Sequence, residues 1–180
     1  MNRISRVSRT RFLAHAALIA ALYVALTYVS FWLGLDKGVI QLRFSEALCV
    51  LVAFTPAAVV GLPLGCFLAN FLVGAHILDV ILGSFATLLG ALLGYFLRRF
   101  ARRPFGLALT TLPTVLANAI IVPLLLTFVY MAEGAFFFFV LTVSLGELLS
   151  ATLLGTLLGI SLRRHVPYPT EAKERGGKRL

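Results

Sequence analysis

Glu147 stands in VSLGELLSATLLG, among Gly, Ser, Ala and Leu, with no basic residue near it along the chain. A carboxylate inside a long apolar helix costs free energy and by default marks a functional contact. The competing role is structural, a protonated or locally hydrogen-bonded Glu. IQLRFSEAL, residues 40–48, adds Gln41, Arg43 and Glu46, which supply donors and an acceptor together. Arg43 and Glu46 are also spaced i, i+3, so they can simply pair on one helical face. Asp79 opens LDVILGS, where it suits either a site or a helix N-terminus. Asn70 and Asn118 suit a ligand or interhelical hydrogen bonds. His76 reads as a turn residue and Glu133 as a solvated loop charge.

Several chemistries are excluded by what is missing. The chain has no GxxxxGK[ST] phosphate loop, so it does not hydrolyse ATP by itself. It has no HExxH, no GxSxG and no Cys/His cluster with zinc spacing. Cys49 and Cys66 fall in apolar stretches and read as small packing residues, not as a disulfide framework. His15 and His165 lie by the basic clusters, away from Glu147 and Asp79, so no intramembrane catalytic dyad forms. The reading is a non-enzyme that needs no cofactor and no metal.

The elements that must position these groups are membrane helices. The chain is 60% hydrophobic and 13% charged, with a mean hydropathy of +0.98. Segments 12–35, 47–78, 80–97 and 104–132 lack Asp, Glu, Lys and Arg, and 134–162 is broken only by Glu147. A bilayer core of about 30 Å takes roughly 20 apolar residues as helix. Segment 12–35 is too long for a signal peptide's apolar core and reads as a retained helix.

The net charge of +9 reflects flanking clusters, not a nucleic-acid surface. Arg3, Arg6, Arg9 and Arg11 precede the first span. Arg98, Arg99, Arg102 and Arg103 share one connection, and Arg163, Arg164, Lys173, Arg175, Lys178 and Arg179 follow the last span. Such clusters mark the cytoplasmic side and meet anionic lipid. If all three share that side, the chain crosses an even number of times between them. The 36–44 loop and breaks near 55–61, 74–76, 98–103 and 131–134 then give an all-α integral membrane six-helix bundle with both termini cytoplasmic. Its parts are a basic N-terminus (1–11), the transmembrane domain (12–164) and a basic, unstructured tail (165–180). This topology gathers the polar groups in the outer half of the membrane. No internal repeat is evident.

Small residues carry a second message. In AHAALIAALYVAL, Ala17, Ala21 and Ala25 recur every four residues, with Ala16 and Ala20 beside them. An Ala-xxx-Ala stripe lets another helix approach closely. It serves packing inside the bundle or docking of a partner.

The stretches IQLRFSEALCVLVAFTPAAVVGLPLGCFLANFLVG, LDVILGSFATLLGALLGYFLRR, LPTVLANAIIVPL and VSLGELLSATLLG resemble the QueT family of queuosine-precursor transporters. The resemblance runs over residues 12–164 and is weakest around the 130–138 turn, at AEGAFFFFV (132–140), whose role stays open. It implies an S component of an energy-coupling factor (ECF) transporter, a six-helix protein with an outward-facing pocket closed by outer loops. It implies docking through the alanine stripe onto a membrane coupling protein joined to two ATPases, and translocation by toppling of the bundle. The implied substrate is a 7-deazaguanine, as the 7-cyano or 7-aminomethyl form, or queuine. A guanine-like edge offers two N–H donors to one carboxylate, an aminomethyl cation wants a second, and a C6 carbonyl wants a donor. Glu147, Glu46, Asp79, Asn118, Asn70, Arg43 and Gln41 are the candidates. Two other functions stay open: a self-sufficient proton-coupled carrier with Glu147 as relay, or an S component for another vitamin.

Overall fold

The computed structural model describes residues 3–35, 40–103 and 105–163, with side chains from Arg9 onward. Residues 36–39, residue 104 and the tail 165–180, with its expected unstructured character, lie outside the described residues. Every regular element described is helical. The chain runs through α1 (Arg3–Trp32), a 3₁₀ helix (Phe44–Ala53), α2 (Ala58–Leu72), α3 (Ile77–Leu97) and α4 (Gly106–Phe128). It ends in α5 (Phe136–Glu147), a π segment (Leu148–Leu154) and α6 (Gly155–Arg163), which follow one another without a break. A short 3₁₀ turn, Arg98–Phe100, extends α3.

Four stretches are long and apolar enough to cross a membrane: Arg9–Trp32, Ile77–Phe100, Gly106–Phe128 and Phe136–Arg163. Their outward sides carry Leu13, Leu22, Phe96, Leu116 and Leu157 exposed, as lipid-facing helices require. The protein is a multi-pass membrane protein. The anticipated breaks appear at 54–57, 73–76, 101–103 and 129–135.

Two elements between them are shorter than the near-equal helices expected over 45–97. The first is a 3₁₀ helix of 10 residues. A 3₁₀ helix rises about 2.0 Å per residue, so this one reaches roughly 20 Å where an α-helix would reach about 15 Å. It is buried almost throughout and touches α1, α2, α3, α4, α6 and the π segment. Apart from Ser45 and Glu46 its side chains are apolar, which suits a helix enclosed on most sides. Its first amides are capped from two other elements. Arg43 N–H donates to Ser150 Oγ (3.2 Å), and Phe44 N–H donates to Ser30 Oγ (2.9 Å). Arg43 itself has extended backbone, φ −118° and ψ 108°.

Helix crossings use small residues. Ala16 and Ala20 of α1 are buried and lie against Gly61 and Gly65 of α2. A Cβ on Gly65 would sit 2.7 Å from Tyr23 Cβ and 3.0 Å from Ala20 Cα. No side chain fits there, so glycine sets the interhelical distance. Ala17, Ala21 and Ala25, one step round the helix, are exposed. The stripe thus splits into an inward half and an outward half.

The bundle has two distinct ends. At one, Arg163 donates to the Ala101 carbonyl, joining the end of α6 to the α3–α4 turn. At the other, Phe31 of α1, Gly74 of the α2–α3 turn and Tyr130 of the α4–α5 turn line one cavity. Helix α1 reaches that cavity with its last turn, so Arg9 and Arg11 lie toward the arginine end. The polar candidates collect toward the Tyr130 end.

Candidate functional site

Two adjoining cavities hold the seven polar residues singled out from the sequence. Gln41, Arg43, Glu46, Asp79, Asn118 and Glu147 line a deep chamber. Gln41, Arg43 and Asp79 also line a wider cavity above it, together with Asn70. The outer cavity is about 260 Å³, close to the lower range of small-molecule sites, about 300–1,000 Å³. The deep chamber is about 10 Å³, room for about one water.

Glu147 is delivered by local backbone geometry. It ends α5, and the π segment begins at the next residue. Widened turns of this kind recur at functional sites because they re-aim side chains. Here the π segment turns Ser150 toward the Arg43 amide and Thr152 toward Thr111 of α4 (3.1 Å). Gly146 has its own reason. A Cβ there would overlap the Gln41 carbonyl oxygen. The backbone before the 3₁₀ helix therefore lies directly on α5, and the IQLR and GEL stretches touch.

Glu147 is 8% exposed. Its Oε1 accepts from Asn118 Nδ2 at 2.9 Å. Its Oε2 is buried and has no hydrogen-bond partner. Asn118 lies on α4 between Pro113 and Pro123, each of which lacks the N–H an α-helix uses. An open carboxylate oxygen inside a polar chamber is an acceptor waiting for a donor.

Glu46 is 1% exposed and differs in kind. Its Oε1 accepts from Tyr23 of α1 and its Oε2 accepts from Cys49 Sγ at 3.3 Å. The i, i+3 pairing of Arg43 with Glu46 on one helical face does not describe this geometry. Arg43 is the extended N-cap, not a helical residue, and the Glu46 oxygens meet Tyr23 and Cys49 instead.

Around the outer cavity, Asp79 accepts from Tyr130 Oη at 2.9 Å, and Tyr130 Oη accepts from His76 N–H at 3.2 Å. Partial burial pushes the Tyr130 hydroxyl above its usual pKa, so it stays a neutral donor. The helix cap here is His76, whose Nδ1 accepts from Leu78 N–H at 3.2 Å. Asp79, in the first turn of α3, keeps its carboxylate for Tyr130 and the cavities. Asn70 is buried, with its Nδ2 3.6 Å from Cys66 Sγ. Glu133 is exposed in its turn. No group of three or more His, Cys, Asp or Glu side chains suited to a metal occurs among the described residues.

The family model described as QueT transporter matches residues 13–164. The chain belongs to the QueT transporter family. It is also 36% identical over 90 residues to the queuosine precursor transporter QueT of Lactococcus lactis subsp. cremoris (strain MG1363). That match takes in 50% of this chain and 53% of the other, so the chain spans about half the length of the curated relative it matches. No solved structure matches the chain.

For this QueT-family chain, sequence reasoning missed Tyr23 and Tyr130. Tyr23 is a polar-tipped residue in an otherwise apolar helix, and a buried Tyr hydroxyl normally finds a partner. That signal was present in ALYVAL. Tyr130 carried no comparable signal, because a Tyr at a membrane boundary is ordinary.

Proposed function

We propose that the protein is the substrate-binding subunit of an ATP-driven importer of the energy-coupling-factor type, and that its substrate is a queuosine precursor of the 7-deazaguanine class. The carrying observation is Glu147 Oε2, a buried acceptor without a partner in a polar chamber. A guanine-like edge brings N–H donors to that oxygen. Asn118, Arg43, Asn70 and Gln41 supply donors for a carbonyl, and Glu46 and Asp79 supply negative charge for an amine. Phe31 and Tyr130 line the outer cavity and offer aromatic walls to a flat ring. The Lactococcus relative's name, queuosine precursor transporter, supports the same substrate class. The deep chamber is too small for a bicyclic base as it stands, so binding proceeds from the outer cavity with side chains parting around Glu147.

In this reading the chain crosses the membrane six times, the two shorter helices included. Both termini and the three basic clusters face the cytoplasm, and the Tyr130 end faces outward. The arginine end described above fits the positive-inside rule. A membrane coupling protein docks on the exposed Ala17, Ala21 and Ala25, and two ATPases bound to that protein drive translocation. Uptake of radiolabelled precursor in vesicles tests this. Uptake that needs ATP and the partner proteins is expected. Uptake by this chain alone, collapsing with the proton gradient, would instead make it a proton-coupled carrier.

A further inference from the structure

Glu46 and Glu147 line the same chamber, yet their oxygens are not in the same condition. Glu147 Oε2 has no partner. Both Glu46 oxygens already accept a protein donor, one from Tyr23 and one from Cys49. A carboxylate has about four lone-pair sites. Glu147 therefore keeps a free oxygen for a directional N–H edge. Glu46 keeps mainly its charge, held in one orientation.

The group that holds it is itself enclosed. Tyr23 is 1% exposed. Its stem sits on α2 where Gly65 leaves no room for a Cβ, and its hydroxyl reaches the 3₁₀ helix from α1. The hydroxyl does not line either cavity. It acts on the chamber through Glu46.

We propose that Tyr23 is a positioning residue that sets ligand preference: its hydroxyl fixes the Glu46 carboxylate as an oriented anion facing the chamber, which selects a ligand carrying an ammonium group alongside its N–H edge. Glu147 reads the edge and Glu46 neutralises the cation. An ammonium is a compact point charge and gains most from an anion held at one place in the chamber wall, which suits a carboxylate pinned by Tyr23 and Cys49. This rests on the substrate class proposed above, and it assigns the two carboxylates different tasks.

Tyr23→Phe removes only the hydroxyl and keeps the ring in its slot. The experiment compares dissociation constants of 7-aminomethyl-7-deazaguanine and 7-cyano-7-deazaguanine for wild type, Tyr23→Phe, Glu46→Gln and the double variant. Tyr23→Phe should weaken the aminomethyl ligand about tenfold and leave the cyano ligand within about twofold. In the Glu46→Gln background, Tyr23→Phe should add nothing. Equal weakening of both ligands, or the same loss in the Glu46→Gln background, would overturn the proposal in favour of a packing role. A second measurement needs no ligand. The infrared carboxylate band of Glu46, identified by its disappearance in Glu46→Gln, should shift in Tyr23→Phe. An unshifted band refutes positioning by Tyr23. If wild type binds neither deazaguanine, the functional reading has failed, and this band alone decides the role of Tyr23.

Discussion

Among single residues Glu147 carries the most, and its two oxygens make its replacement informative. In Glu147→Gln the amide carbonyl keeps the hydrogen bond from Asn118, and the NH₂ group lands where the open oxygen was. A ligand N–H then meets a donor. The charge-assisted hydrogen bond to the open oxygen, worth about 1.5–3 kcal/mol net, gives way to two donors facing each other, so affinity should fall about 100-fold or more. The fold should hold, because the Asn118 contact survives and a neutral amide is easier to bury than a carboxylate. Dissociation constant and melting temperature, measured together, check this. Unchanged affinity would remove Glu147 from ligand recognition. A collapsed melting temperature would make it a structural acid. Residues of this kind were legible in the sequence because charge is conspicuous in an apolar chain. The 2.9 Å hydrogen bond between Asn118 and Glu147 joins two of these residues. Their partners were less legible. Nothing in ALYVAL says that Tyr23 meets Glu46, because that contact depends on how α1 rotates against α2.

Between residue and molecule stand elements whose form departs from the plain helix. The number of helical stretches and their breaks could be read from charge-free runs, Pro and Gly. The 3₁₀ form of Phe44–Ala53 and the π form of Leu148–Leu154 could not. Both are set by tertiary partners: the 3₁₀ helix is capped by Ser30 and Ser150, and the π segment supplies Ser150. Hydrophobic periodicity carries no record of such exchanges. Gly146 joins the two irregular elements. Gly146→Ala places a methyl group on the Gln41 carbonyl, and overpacking of this kind costs about 1–3 kcal/mol. The chain before the 3₁₀ helix must move, taking Gln41 and Arg43 with it. The expected result is a lower melting temperature with at least about tenfold weaker ligand binding. Binding that stays at the wild-type level in Gly146→Ala would show that the close packing of α5 under Gln41 does not shape the site.

For the whole molecule, the central question is what the chain does alone and what it does with partners. The two halves of the alanine stripe answer differently. Ala16 and Ala20 are consumed by the crossing with α2, while Ala17, Ala21 and Ala25 face outward. Ala21→Trp puts a large ring on the outward half. It should abolish co-purification with the proposed coupling protein and ATPases and leave the solitary chain's ligand affinity within about twofold. Loss of both would return the stripe to internal packing. Substrate recognition, by contrast, is assigned entirely to this chain, without nucleotide or metal. Calorimetric titration of the purified full chain in detergent, with EDTA present and no ATP, measures that directly. Saturable binding of a 7-deazaguanine, one per chain and lost in Glu147→Gln, is expected. Saturable binding of a flavin or thiamine, with no heat from any 7-deazaguanine or queuine, would contradict it.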